Sequence, residues 1–337
     1  MMRVGIIGLG RAGRIHLEAW QSVDGVTVGA VADRSADIRR WARQSGFRAY
    51  PDPFDMIGEE LLDAVSICTP PVSHAPVAMA CLEHGLDVLC EKPLAIVPRD
   101  ALHMLRTSTH VRQHLLLATK FRHVPDLIRA RELIDQGQIG EPVAFEIDFS
   151  SVVDMSRRWN CRRALAGGGV IIDNGCHAFD IVAFLFGTVS RVHATRLKPV
   201  QNLPVEDSAT ILVAAGRGLV GRIDLSWSLS TGRESYVTVY GSEGTIEVGW
   251  RGSRLRRTGR PPMEIGPGYD KGVAHRRMLE SFSAVVAAGA TPWISPGECL
   301  RTVAAVEAAY RSLRSGGWVA VDVARVRPHR RAFEASA

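Results

Sequence analysis

The sequence predicts an α/β chain in two parts. A doubly wound parallel sheet comes first, then an α+β half with a large, open, mostly antiparallel sheet. Three observations predict this. Over the first third, short apolar runs alternate with helical stretches, the pattern of βαβ units with right-handed crossovers. Runs such as Ala64-Val65-Ser66-Ile67-Cys68 are apolar almost throughout, as strands buried on both faces are. From residue 189 to 250 one strand pattern follows another with no helix between, which indicates antiparallel pairing.

In chain order, the first third reads as a strand at 4–7, a helix at 14–20, a strand at 26–32 and a helix at 37–45. A strand at 64–68, a helix at 75–84 and a strand at 87–90 follow. Beyond about residue 120 the texture changes. A helix at 125–136 is closed by Gly137, and a strand occupies 142–149. A glycine run leads into a helix at 172–186 whose apolar stripe is Ile172, Cys176, Phe179, Ala183 and Phe186. Strands at 209–214, 219–227, 236–240 and 245–248 are separated by the turns Gly216-Arg217-Gly218 and Gly241-Ser242-Glu243-Gly244. Helices at 275–288 and 296–314 end the folded part, and the second is a candidate to pack back on the first domain. The expected organisation is a dinucleotide-binding domain at 1–121, a substrate and oligomerisation domain at 122–325, and a frayed polar tail at 326–337.

With 337 residues, 46% of them hydrophobic and 23% charged, the chain has the balance of a globular protein of about two domains. Its net charge of +6 is spread along the sequence. The one basic stretch, 251–260, sits among glycines and reads as a solvated hairpin or loop, so no nucleic-acid partner is expected. No apolar run reaches the ~18 residues of a membrane span, and no leader pattern precedes the first strand. Six cysteines, Cys68, Cys81, Cys90, Cys161, Cys176 and Cys299, show no zinc spacing and no CxxC pair, so no metal is expected. Most sit in apolar runs, which suits a reducing compartment; the expected location is the cytoplasm. Lys92, Lys120, Lys198 and Lys271 are the only lysines. Against so many arginines each one invites a chemical question, because lysine, unlike arginine, gives up its proton when buried.

Gly8-Leu9-Gly10-Arg11-Ala12-Gly13 follows a strand and opens a helix. The first glycine makes the tight turn, the second admits a pyrophosphate against the backbone, and the third lets helix and strand pack closely. The free N–H groups of the helix end then face the phosphates. Asp33 closes the second strand, where an acid hydrogen-bonds ribose hydroxyls and repels a 2′-phosphate. NAD is therefore the expected cofactor, with NADP possible through the adjacent Arg34. Thr69-Pro70-Pro71 lies at the carboxyl edge of the sheet, where ligands gather. Two roles stay open for His74: lining the nicotinamide pocket, or starting a helix and packing. The fourth strand read here ends in Cys90-Glu91-Lys92-Pro93, which points Glu91 and Lys92 at the same crevice.

These stretches, from Val65 to His74 and from Val88 to Ala95, resemble the glucose-fructose oxidoreductase/inositol dehydrogenase (Gfo/Idh/MocA) family. The resemblance covers almost the whole chain. Gly137-Gln138-Ile139-Gly140 looks like the family's entry to the second domain. Gly167-Gly168-Gly169, Asp173, Gly175, His177 and Asp180 match its GGGxxxDxGxHxxD pattern, and Tyr240-Gly241-Ser242-Glu243-Gly244 matches a late strand turn. Pro71 departs from it, since relatives often carry asparagine there. The resemblance implies a Rossmann domain, a sheet domain for substrate and oligomer contacts, and NAD(P)-dependent chemistry on sugars and cyclitols.

Asp173 and His177, four apart, are neighbours on a helix face away from the apolar stripe. Alone, such a histidine is usually a satisfied residue of a half-exposed helix; with Lys92 and the glycine loop upstream, catalysis is the favoured reading. Hydride leaves to nicotinamide, His177 takes the hydroxyl proton, Lys92 stabilises alkoxide charge, and Asp173 holds substrate or orients the base. Lys120, Arg122 and His123 lie on the stretch joining the domains, near the expected crevice. Lys120, Arg122, Trp159 and Asn160 are candidate substrate contacts, though a plain surface loop reads equally well for the last two. A keto-sugar reductase of antibiotic or amino-sugar biosynthesis, an NAD-retaining glycosidase relative and a non-catalytic sugar sensor are the competing readings. A homodimer or homotetramer is expected.

Overall fold

The computed structural model describes residues 1–323; the tail expected at 326–337 lies outside the described residues. The first sheet is parallel and six-stranded: β1 (Met2–Ile7), β2 (Val26–Ala32), β3 (Arg48–Tyr50), β4 (Ala64–Ile67), β5 (Asp87–Cys90) and β6 (Leu115–Leu117). Helices α1 (Arg11–Trp20), α2 (Ala36–Gln44), α3 (Pro53–Glu59), α4 (His74–Glu83) and α5 (Pro98–Val111) connect them. The strand order β3-β2-β1-β4-β5-β6 reverses direction between β1 and β4, which opens a ligand crevice at the carboxyl ends there.

The sequence reading found four of these six strands. It passed over β3 and β6 because three residues are too few to show a period. It also passed over α3, which is short and holds Gly58, and α5, whose Thr, Ser and His residues blur its apolar face.

The second half runs through α6 (Pro125–Asp135), β7 (Pro142–Ser150), α7 (Arg163–Ala166), α8 (Val170–Asp173) and α9 (Gly175–Phe186). Seven strands follow: β8 (Arg191–Arg196), β9 (Ser208–Ala214), β10 (Val220–Ser226), β11 (Ser235–Gly241), β12 (Gly244–Gly249), β13 (Ser253–Arg257) and β14 (Met263–Gly266). Then come α10 (Lys271–Ala288), α11 (Pro296–Ser315) and the short β15 (Val319–Ala320). The nine strands of this sheet are ordered β14-β13-β12-β11-β7-β10-β9-β8-β15. All neighbours are antiparallel except β7 and β10, which pair in parallel from Ala144/Val220 to Ser150/Ser226. The expected basic hairpin is β13–β14, where Arg254 pairs with Glu264 at 2.8 Å and Arg256 with Glu247 at 3.1 Å.

One sheet face is covered. Ile171, Ala178, Phe179 and Val182 share a core with Phe145, Ile147, Ile211 and Ile223. The expected single helix at 172–186 is broken: α8 ends at Asp173, and α9 starts at Gly175 after Asn174.

Both late helices return to the first sheet. Cys299 and Val303 of α11 join the core formed by Met104, Leu105 and Leu117. This is the packing that the sequence left open for α11. The return of α10 was not expected. Its Met278, Leu279, Phe282 and Val285 fill a core with Leu17, Trp20, Leu89 and Leu116. Burying each such side chain is worth about 1.5–3 kcal/mol before conformational entropy is counted.

Candidate active site

Every parallel strand that borders the crevice delivers functional residues at its carboxyl end. β1 delivers the glycine loop, β2 Asp33, β4 Thr69, β5 Glu91 and Lys92, and β6 Lys120.

The glycine loop is shaped for a bound dinucleotide. Gly8 has φ +89°, in the left-handed region, and a Cβ there would press on Cys68 and Thr69. A Cβ on Gly13 would fall on the Gly8 carbonyl oxygen. Gly10 differs, because a Cβ there would meet nothing within 4 Å. The space above it is open, as backbone approach by a pyrophosphate requires. Gly10 caps α1 with no side-chain hydrogen bond, so the helix-end N–H groups stay free for an anion. Arg11 and Ala12 begin the helix, Arg11 exposed. The Asp33 carboxylate accepts from Leu9 N at 2.7 Å and Ser35 N at 2.8 Å, which fixes it beside the loop. Arg34 is exposed next to it, and Arg39 Nη1 donates to the carbonyls of residues 33 and 34, each at 2.8 Å. The cradle fits NAD: room over Gly10 for phosphates, and a carboxylate for ribose hydroxyls that repels a further phosphate.

His74 is fully buried, with its ring nitrogens 2.8 Å from the Thr69 and Pro93 carbonyl oxygens. Of the two roles left open, the structure gives it the packing one: it ties the β4 loop to the β5 loop. Thr69 and Pro70 stay partly exposed at the crevice edge.

Lys92 reaches across to the second half. Its Nζ donates to Asp173 Oδ1 at 2.6 Å and to the Asp173 carbonyl at 2.9 Å. That places its ammonium at the α8–α9 break, one turn before His177. Along 170–182, Asp173, Asn174 and His177 are the positions not fully buried, so they form the crevice-facing side of the broken helix. The glycine run makes this placement possible. A Cβ on Gly168 would meet the Tyr310 hydroxyl, and one on Gly169 the Glu206 carbonyl oxygen. Glu206 Oε1 accepts from Gly169 N at 3.0 Å and Ile171 N at 3.2 Å, and from the Tyr310 hydroxyl at 2.6 Å. The glycines thus let one buried carboxylate cap α8.

The charges here are coupled. Burial opposes ionisation of Lys92, but Asp173, Cys176 and Glu91 together outweigh it and hold the ammonium above the ordinary lysine value. Burial also opposes the charge on Glu91. His16, whose Nε2 lies 3.2 Å from Glu91 Oε1, together with Lys92 and Lys120 keeps that carboxylate well below its usual range. Burial, then Lys92 and Lys120, push the His177 imidazole well below 6.5. In the crevice it is a neutral base.

His16, Glu91 and His275 place three ligating atoms within 4.8 Å of one another. The Lys92 and Lys120 ammoniums act on this same group, and two cations so near oppose a divalent ion. We assign the trio to holding Glu91. The sequence reading missed it, and it missed the aromatic wall beside it. Phe121 stacks on Tyr269 with ring centres 5.3 Å apart and meets His177 edge-on at 5.1 Å. One signal was visible: His16 follows Gly13 by three residues, which turns it toward the strand ends behind the loop.

Arg122 is a correction. It was expected at the substrate, yet its side chain is 3% exposed. It donates to Asp180 at 2.9 Å, Glu298 at 2.9 Å and the Trp293 carbonyl at 3.0 Å. It clasps α9 and the start of α11 to the turn at 120–123. His123 is likewise buried, edge-on to Trp293 at 4.8 Å. Trp159 and Asn160 begin a short turn in the segment leading to α8. Trp159 is exposed, and α7 just beyond packs on the Pro71–Ser73 turn of the first half.

Buried neutral histidines carry a cost in acid. Burial pushes His123 and His275 down to about 4, and His177 is also well below 6.5. Below about 6.5 the unfolded chain binds protons at these positions and the fold does not, so stability is full above that pH and is lost as pH falls toward 4. Each histidine contributes about 1.4 kcal/mol per pH unit inside that window. Urea midpoints are expected to fall steadily from neutral pH to about pH 5. A level or rising midpoint would show that these rings are protonated in the fold.

Comparison with known proteins matches both halves of the chain. Residues 2–118 match the oxidoreductase family with an NAD-binding Rossmann fold, and residues 127–247 match the GFO/IDH/MocA C-terminal domain. A D-apiose dehydrogenase of Paraburkholderia graminis is 30% identical over 330 residues, covering 92% of this chain and 87% of that relative. A myo-inositol 2-dehydrogenase of Thermotoga maritima is 27% identical, covering 73% of this chain and 74% of that relative. The solved structure of a levoglucosan dehydrogenase in complex with NADH superposes with a TM-score of 0.86 at 22% identity, covering 95% and 99% of the two chains. An oxidoreductase from Agrobacterium radiobacter in complex with NAD+, L-tartaric acid and magnesium gives a TM-score of 0.85 at 24% identity, covering 95% and 98%. These two likenesses are of fold.

Proposed function

The chain belongs to the GFO/IDH/MocA oxidoreductase family, and from that premise we propose that it is an NAD-dependent dehydrogenase oxidising one secondary alcohol of a sugar or cyclitol. The observation that carries this reading is the meeting of the Lys92–Asp173 pair with the α9 turn that bears His177, at the edge of the glycine-loop crevice.

A bound nicotinamide supplies the hydride acceptor. The chain's own residues do the rest. His177, neutral and partly buried, accepts the hydroxyl proton. Lys92, held charged by Asp173, donates to the same oxygen as alkoxide charge builds, where low local polarity makes that contact worth more than in water. Asp173 keeps the ammonium in place. Glu91, anchored by His16, offsets part of the positive charge. Reduction of a keto-sugar would run the same steps in reverse, with His177 donating the proton and Lys92 holding the oxygen.

Purified protein supplied with NAD+ or NADP+ and a panel of cyclitols, free sugars and aminoglycosides is expected to generate reduced cofactor, faster with NAD+. Glycoside hydrolysis without net reduced cofactor would replace this reading with the NAD-retaining glycosidase. Sugar binding with neither reaction would replace it with a sensor.

The assembly and location belong to the same proposal. The uncovered sheet face carries Leu212, Val220 and Tyr240 among the paired charges of Glu146, Arg222 and Arg233, which supports face-to-face pairing into a homodimer or homotetramer. Six free, buried cysteines support a reducing compartment, the cytoplasm.

A further inference from the structure

Lys120 follows β6 and opens the short Lys120–His123 turn. Lys92 is bound to a carboxylate, but Lys120 is not: among the described residues its Nζ meets only the ring faces of Phe121, at 5.4 Å, and Tyr269, at 5.8 Å. The ring of His177 touches the same Phe121. The elements packed around the Lys120 ammonium bring Glu91 and Lys92 from the end of β5, Asp173 from α8, and Lys271 at the start of α10. His177 of α9 and His275 of α10 feel its charge in turn. Burial, with Lys92 and Lys271, brings its ammonium down to about 8, although Glu91 and Asp173 pull the other way.

Lys92 is locked in its charged form, and burial beside that ammonium keeps the His177 ring from holding a proton. A proton taken from substrate needs a further acceptor. Resting on the dehydrogenase reading above, we propose that Lys120 is that acceptor: its neutral amine receives the proton that His177 draws from the substrate hydroxyl and releases it to water.

The balance closes. The alcohol O–H bond breaks and its proton goes to the His177 ring nitrogen. The carbinol C–H bond breaks, and its electron pair leaves as hydride to the NAD+ that the reaction consumes. The imidazolium then returns to neutral as the Lys120 amine becomes an ammonium, which loses one proton to solvent. Alcohol and NAD+ give ketone, NADH and one proton.

The four lysines of the sequence make a direct test possible. Protein grown with 15N-lysine shows four side-chain nitrogen signals, and the Lys120→Met variant identifies the one that belongs to Lys120. That signal is expected to change from ammonium to amine with a midpoint of about 8, while the Lys92 signal stays ammonium. A Lys120 signal that titrates as an ordinary lysine would overturn the proposal by itself, with no substrate needed. In the rate arm, kcat for oxidation at saturating NAD+ should rise with pH around the same midpoint. Lys120→Met and Lys120→Arg should each lose that limb and about 10²-fold in kcat, with KM little changed. An arginine variant that keeps both limb and kcat would show that only the charge matters, and would overturn the proposal. Failure of every sugar and cyclitol to reduce NAD+ would instead strike the dehydrogenase reading, leaving the lysine signals to judge this one.

Discussion

Replacing His177 with alanine is expected to lower kcat for alcohol oxidation by about 10²–10⁴-fold, the range lost with a positioned general base. NAD+ binding, followed by calorimetry, should be unchanged, because the ring contacts Phe121 and Phe149 and not the glycine loop. The loss should sit in kcat: the proton moves only in the transition state, so the ground state gains little from the imidazole. Truncation leaves a ring-sized space next to Phe121, and added imidazole should restore part of the rate. A variant with near-normal kcat and intact cofactor binding would remove His177 from the chemistry.

Lys92→Met is expected to cost about 10²–10³-fold in kcat, the loss seen when one donor to a developing oxyanion is removed. Methionine keeps most of the apolar stem and deletes the charge. Asp173 then faces the substrate oxygen unpaired, a like-charge clash with the alkoxide. Arginine should not rescue, since a planar fork cannot take the place of a point charge that spans 2.6 Å to Asp173 Oδ1 and 2.9 Å to its carbonyl. Steady-state kinetics of Lys92→Met and Lys92→Arg, each with cofactor binding measured separately, check this. Full activity in either would break the assignment.

The legible part of the site was the part written in short stretches of chain. The glycine loop, Asp33 and the Glu91-Lys92 strand end each declare themselves within a few residues, because the turn and the chemistry need fixed neighbours. Asp173 and His177 were legible for the same reason, as a spaced pair beside a glycine run. Arg122 was misread because its role depends on Asp180 and Glu298, 58 and 176 positions away. His16, Glu91 and His275 come from three separate elements, and nothing in the spacing joins them. The same limit applied to secondary structure. Strands long enough to show alternation were found, and the three-residue β3 and β6 were not. The α8–α9 break escaped because the apolar stripe continues through it; at the break the Asp173 carbonyl accepts from Lys92 Nζ, a residue 81 positions away, and His177 N bonds the Asn174 carbonyl instead.

The way α10 completes the core under α1 bears on how the protein is made. A ribosome that has released the first 121 residues has delivered every strand of the parallel sheet, yet Leu17, Trp20, Leu89 and Leu116 still lack Met278, Leu279, Phe282 and Val285. The nucleotide-binding half therefore stays unfinished, with oily surface bare, until nearly the whole chain has emerged. Its folding is delayed to the close of translation, and during that interval it depends on whatever in the cell shields nascent chains from one another.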